Sequence, residues 1–163
     1  MTLLRAHDLS IGYGRTVIAR GIDLPIEAGG VTCLLGPNGS GKTTLFKTLL
    51  GLIPPLSGRV EIESNDLTSL DQQTVARHIA YVPQAQVTEF SYSVLDLVVM
   101  GRTAHLGAFT APGANDYAIA MTALERLGIA ALADRDSTRI SGGQRQLALI
   151  ARALAQQARV IVM

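Results

Sequence analysis

The spacing of apolar and polar positions changes character along the chain, and each change predicts a different kind of element. Up to about residue 35 the apolar residues fall in β-forming runs, over 17–26 and 31–35, with Gly12 and Gly14 flanking Tyr13 at a turn. This predicts a β-rich opening. Leu45, Phe46, Leu49 and Leu50 then share one helical face, and Gly51 with Pro54 and Pro55 ends the run. Short strands are predicted over 59–62 and 79–82, the second stopped by Pro83, with a polar stretch between them in which Asp71, Gln72 and Gln73 open a short helix. From Ser93 onward the pattern is helical, over 94–101 and 116–127, joined by a loop rich in Gly, Ala, Thr and Pro. Residues 141–155 place Leu147, Ile150, Ala151 and Leu154 at i, i+3, i+4 and i+7, and the run at 160–163 reads as a buried strand. No internal repeat, low-complexity tract or long linker interrupts the chain.

Composition narrows the picture. The 163 residues are 48% hydrophobic, enough for one domain with a core. Fourteen basic and 13 acidic residues give a net charge of +1 with no block of one sign, which argues against a polyanion or an acidic membrane as the main partner. The N-terminus carries charge where a secretory signal needs its apolar core, and no apolar run approaches the roughly 20 residues of a membrane span, so a cytosolic chain is expected. Cys33 is the single cysteine; it cannot form an internal disulfide, and Val31, Leu34 and Leu35 around it predict a small buried apolar residue without chemistry.

Gly36-Pro37-Asn38-Gly39-Ser40-Gly41-Lys42-Thr43 fits G-x-x-x-x-G-K-[ST]. Glycines let the backbone curl until successive N–H groups face inward at phosphate oxygens, and a helix starting near Gly41 adds its positive end. Lys42 would reach the β- and γ-phosphates of ATP as a compact charge, and the Thr43 hydroxyl would hold Mg2+ bridging the same phosphates. Thr44 completes the candidate set, with capping or packing as its other reading. A strand before the loop and a helix after it are the context the motif requires, and 31–35 and 45–50 are predicted to supply them.

Ser141-Gly142-Gly143-Gln144 read alone is a capping box that starts a helix. Read together with residues 36–43, Ile140 to Gln144 resembles the signature sequence of the ATP-binding cassette family, usually Leu-Ser-Gly-Gly-Gln, with Ile140 in place of leucine. The resemblance covers essentially the whole chain. It implies an α/β P-loop NTPase with a RecA-like core, an N-terminal antiparallel β portion, an inserted α-helical subdomain and the C-terminal part of the core missing. On this reading residues 1–163 form one incomplete ATP-binding domain: a β-rich and P-loop portion over 1–92, a mainly helical subdomain over 93–155, and the start of a core strand over 156–163. It further implies a head-to-tail homodimer in which Ser141, Gly142, Gly143 and Gln144 face the γ-phosphate held by the other subunit. Tyr13, otherwise an ordinary turn aromatic, resembles the residue that stacks on adenine. Gln84, otherwise a loop amide, resembles the glutamine that touches Mg2+ and the attacking water on a loop that senses the membrane partner; Lys42 and Gln84 are the implied catalytic pair, and Thr43 and Gln84 the implied metal contacts. The short interval between Gln84 and Ser141 leaves no room for the coiled coil of the DNA-repair relatives. Residues 94–102, 124–129 and 132–135 resemble the subunits that serve importers of siderophore iron, haem, cobalamin or molybdate.

In that family the strand matched by 160–163 is followed by an Asp that helps hold Mg2+ and a Glu that acts as general base, and this chain contains neither. His7, His78 and His105 lie outside any matching motif. The expectation is therefore a fragment that binds ATP, turns it over poorly, exposes an apolar sheet edge and is marginally stable. The leading reading is the energy-coupling ATPase of an importer, peripheral on the inner face of the cell membrane, with a transmembrane permease docked near the loop after Gln84, a solute-binding protein as indirect partner, and no nucleic acid. A non-hydrolysing ATP-binding module and a cassette ATPase acting outside transport are the alternatives.

Overall fold

The computed structural model describes residues 1–83, 91–107 and 109–163, and the chain divides into two compact units, Met1–Ile79 and Ala80–Met163. The first is built on a long hairpin of β1 (Thr2–Tyr13) and β2 (Thr16–Glu27), turned at Gly14 with φ 56°. The other edge of β1 pairs antiparallel with β3 (Ser57–Ile62), which carries the short β4 (Asn65–Asp66), giving the order β2-β1-β3-β4. Along β1 the most deeply buried apolar residues are Leu4 and Ala6, then Leu9 and Ile11. The change from even to odd numbers follows from an irregularity between Ala6 and Leu9, where Asp8 takes φ 41°. A one-residue slip flips side chains across a sheet, so the bulge keeps both halves of a 12-residue strand facing the same core.

Helix α1 (Lys42–Leu49) buries Leu45 and Leu49, together with Thr48, whose hydroxyl donates to the Thr44 carbonyl at 2.9 Å. It ends in a Schellman motif: Gly51, at φ 68°, donates to the Thr48 carbonyl, and Leu52 to that of Lys47. Helix α2 (Gln72–His78) starts where Asp71 accepts the Thr74 N–H at 2.6 Å, as the polar stretch predicts.

The strand predicted over 31–35 is absent. These residues belong to no ladder, Val31 and Leu35 are 98% and 86% exposed, and Cys33 is exposed rather than buried. A β-forming run becomes a strand only when a neighbour takes up its N–H and C=O groups, and no described strand does so here.

In the second unit, α3 (Val94–Val99), α4 (Ala114–Arg126) and α5 (Gly142–Ala155) enclose Val94, Leu97, Val98, Ala120, Leu124, Ala148, Ala151 and Ala155. On another side α5 buries Leu149 and Ala153 against Ala80 and Val82, beside the pair formed by β5 (Ile79–Tyr81) and β6 (Val160–Val162). Being covered on two sides, α5 buries mainly alanines; of the predicted stripe Ala151 is fully buried, while Leu147, Ile150 and Leu154 are partly buried at the rims. The helix predicted over 94–101 is α-helical only to Val99 and tightens into a 3-10 turn at Met100–His105. That turn closes on the end of α5. A Cβ on Gly101 would stand 2.2 Å from the Arg152 carbonyl oxygen, so only glycine permits the approach. The buried Arg102 guanidinium donates through Nε to Asp116 at 3.0 Å, and through Nη1 to the Ala155 carbonyl at 2.9 Å and Gln157 Oε1 at 2.8 Å. His105 Nε2 donates to the Gln156 carbonyl at 2.7 Å. No helix among the described residues is long and apolar enough to cross a membrane.

Candidate phosphate-binding site

Residues 36–40 form an exposed loop running into α1. Its curl rests on glycines whose replacement meets either backbone strain or a neighbour. Gly39 and Gly41 have φ of 83° and 93°, conformations L side chains rarely adopt. A Cβ on Gly36 would stand 2.8 Å from Ser40 Oγ, and one on Gly41 would stand 2.6 Å from Ile18 Cγ2, with Ile11 Cδ1 behind it. Ile11 and Ile18 come from the hairpin, so the sheet supplies a floor beneath the point where loop becomes helix. Sequence spacing alone does not disclose this support, because the two residues are remote from the motif.

At the α1 N-terminus no side chain among the described residues caps the backbone N–H groups, and the first turn carries no acidic residue. Lys42 folds over the loop, its Nζ donating to the carbonyls of Gly36 and Pro37, both at 2.7 Å, with Ser40 Oγ at 3.5 Å. An ammonium has three donors, so two hold the loop closed on itself, and the third, on the long 3.5 Å contact to Ser40 Oγ, is the one an anion can take over. Thr43 is exposed beside it, whereas Thr44 is buried at 7% exposure. The packing reading of Thr44 thus fits its position. Tyr13, 49% exposed, lies at the tip of the hairpin that provides Ile11 and Ile18. Gln84 lies outside the described residues.

The chemistry of this donor set suits a polyphosphate: backbone N–H groups, one lysine and no competing carboxylate. Mg2+ bound with the nucleotide would be held through the Thr43 hydroxyl and the phosphates; among the described residues no three His, Cys, Asp or Glu side chains are grouped to hold a metal ion.

In the second unit, Ser141 and Gln144 form both halves of a capping box: Gln144 N–H donates to Ser141 Oγ at 3.2 Å, and Ser141 N–H donates to Gln144 Oε1 at 2.9 Å. Gly142 and Gly143 open the helix between them, exposed, and among the described residues a Cβ added to either meets nothing within 4 Å. Packing against the described residues therefore does not require glycine at these two positions. What glycine does provide there is bare backbone at a helix start, open to close approach from outside.

Comparison with known proteins places these features in context. The family model described as ABC transporter matches residues 19–163. An uncharacterized ABC transporter ATP-binding protein of Haemophilus influenzae is 45% identical over 161 residues, 99% of this chain and 61% of that protein. The ferric enterobactin transport ATP-binding protein of Escherichia coli K12 is 36% identical over 160 residues, 98% of this chain and 59% of its own length. A transporter assigned to the metal-chelate ABC type, solved in an inward-facing conformation, superposes with a TM-score of 0.83 at 38% identity, over 98% of this chain and 58% of that one. The chain thus spans about 60% of the length of the curated relatives it matches.

Proposed function

The chain belongs to the ABC transporter family, with that family's mixed α/β P-loop ATPase fold, and from this premise we propose that it is the ATP-binding, energy-coupling part of an importer. The observation that carries the proposal is the pairing, in one chain, of two helix starts open to an anion: the lysine-closed loop at 36–43 and the glycine start at 141–144. Each ATP is held by residues 36–43 of one subunit and capped by residues 141–144 of a second copy, in a head-to-tail homodimer. Lys42 binds the β- and γ-phosphates with its third donor, Thr43 and Gln84 hold Mg2+, and Tyr13 stacks on adenine. Closure of the dimer drives a transmembrane permease docked near the loop after Gln84, with a solute-binding protein delivering cargo, at the inner face of the membrane.

The cargo class is a metal chelate or related metal species, a reading supported by the names of the enterobactin and metal-chelate relatives.

The test is complementation in the full-length protein. Lys42→Ala removes the phosphate lysine, and Ser141→Arg obstructs the facing helix start. Neither variant dimerises with ATP alone, but a mixture pairs an intact loop with an intact helix start and recovers ATP-dependent dimer. A mixture no better than its components would refute the head-to-tail site.

A further inference from the structure

Residues 91–95, which lead into α3, and the run 133–137 are stitched together ahead of the helix start at 141–144. Val94 N–H donates to the Arg135 carbonyl, Leu95 N–H to that of Ala133, and Ser137 N–H to that of Tyr92, all at 2.8–2.9 Å, with an isolated bridge between Ser93 and Asp136. One side chain closes this seam. Asp136 accepts from the Ser91 hydroxyl across the seam, and from the Thr138 N–H at 2.8 Å and Thr138 Oγ1 at 2.7 Å on its own side. Thr138 is in turn tied forward: its carbonyl accepts from Arg145 Nη2 at 3.3 Å, and Arg145 sits in the first turn of α5.

The chain of contacts therefore runs from Ser91 through Asp136 and Thr138 to Arg145, and spans the turn that carries Ser141, Gly142 and Gly143. A capping box fixes a helix start against its own helix, but not the angle at which the incoming chain reaches it. Here the direction of that approach is set by a carboxylate with several donors on it, the arrangement in which hydrogen bonds are strongest.

We propose that Asp136 is a positioning residue for the anion-facing turn at 141–144, which it holds in register with the segment at 91–95 through Ser91 and Thr138. The role rests on the function proposed above for residues 141–144. Asp136 touches no nucleotide; it acts through the turn. An amide keeps an acceptor oxygen for the Thr138 and Ser91 donors but not the charge that strengthens those bonds, so it should serve in part where a methyl cannot.

The experiment uses the full-length protein and reads amide hydrogen exchange by residue, together with ATP-dependent dimerisation and ATP affinity of the monomer. Asp136→Ala is expected to speed exchange at residues 141–144 by about tenfold and to weaken ATP-dependent dimerisation comparably, with monomer ATP affinity unchanged. Asp136→Asn is expected to recover part of both. Should Asp136→Ala fail to fold, Ser91→Ala removes only the cross-seam bond and is expected to give the same localised rise in exchange. Unchanged exchange at 141–144, or a rise spread evenly over residues 80–163, would overturn the positioning role. A wild-type protein that does not dimerise with ATP refutes the function proposed for 141–144, while the exchange measurement still decides the role of Asp136.

Discussion

Arg102 offers the sharpest test of how the helical unit is held. Its side chain is 7% exposed and its carboxylate partner Asp116 14%, and the guanidinium also satisfies a carbonyl at the end of α5 and the side chain of Gln157. Arg102→Ala leaves Asp116 and the Ala155 carbonyl without this donor and removes packed methylenes. Breaking a buried pair by deleting one partner costs about 3–5 kcal/mol. Asp116 keeps the Gly113 N–H, which donates to it at 3.0 Å, so the lower end, about 3 kcal/mol, applies. At about 2–4 °C per kcal/mol for a chain of this size, the melting temperature should fall by about 6–12 °C. Arg102→Lys keeps the charge but not the fork and should fall in between. Melting followed by circular dichroism and calorimetry reads the effect directly. A drop of under about 2 °C for Arg102→Ala would mean that the network is worth no more than a surface ion pair, and the reasoning would fail.

Two further predictions concern the loop and acid stability. Gly41→Ala forces a side chain onto φ 93° and against Ile18; it should cost about 1–3 kcal/mol locally and lower ATP affinity, and titration with wild-type affinity would contradict the loop geometry. Ser91 and Thr138 hold Asp136 at a pKa of about 2, and the carboxyls of Asp66, Asp71 and Asp116 are also lowered by the N–H and side-chain donors on them. Folded pKa values below the unfolded value of about 4 mean that the unfolded chain binds more protons in this range, so the stabilisation is complete above about pH 4 and is lost toward pH 2. Thermal melts should therefore drop across that window, less steeply for Asp136→Asn; an identical acid profile in that variant would remove Asp136 from the explanation.

What could be read in the sequence was what is decided locally. The caps at Asp71 and Ser141, the stop at Gly51 and the glycine loop all depend on residues within a few positions of one another, and each is seen in the structure. The strand predicted over 31–35 failed because a ladder depends on a partner that propensity does not report. The stripe assigned to α5 predicted the helix but only part of its buried face: a helix covered on two sides has no single apolar face, and the alanines that complete it are chosen by the closeness of its neighbours. Arg102 was legible as part of a family resemblance but not as a buried latch, since its partners lie 14 to 55 positions away. The floor that Ile11 and Ile18 make under Gly41 was hidden in the same way.

The central claim is that residues 36–43 bind the phosphates of ATP with Lys42 as the charge that receives them. Equilibrium titration of Mg-ATP into the wild-type protein and Lys42→Ala, with circular dichroism to verify that both are folded, tests it most directly. The account predicts saturable binding by the wild type and a loss of at least about tenfold in affinity for Lys42→Ala, the equivalent of one charge-assisted contact. Equal affinity in two equally folded proteins would contradict it.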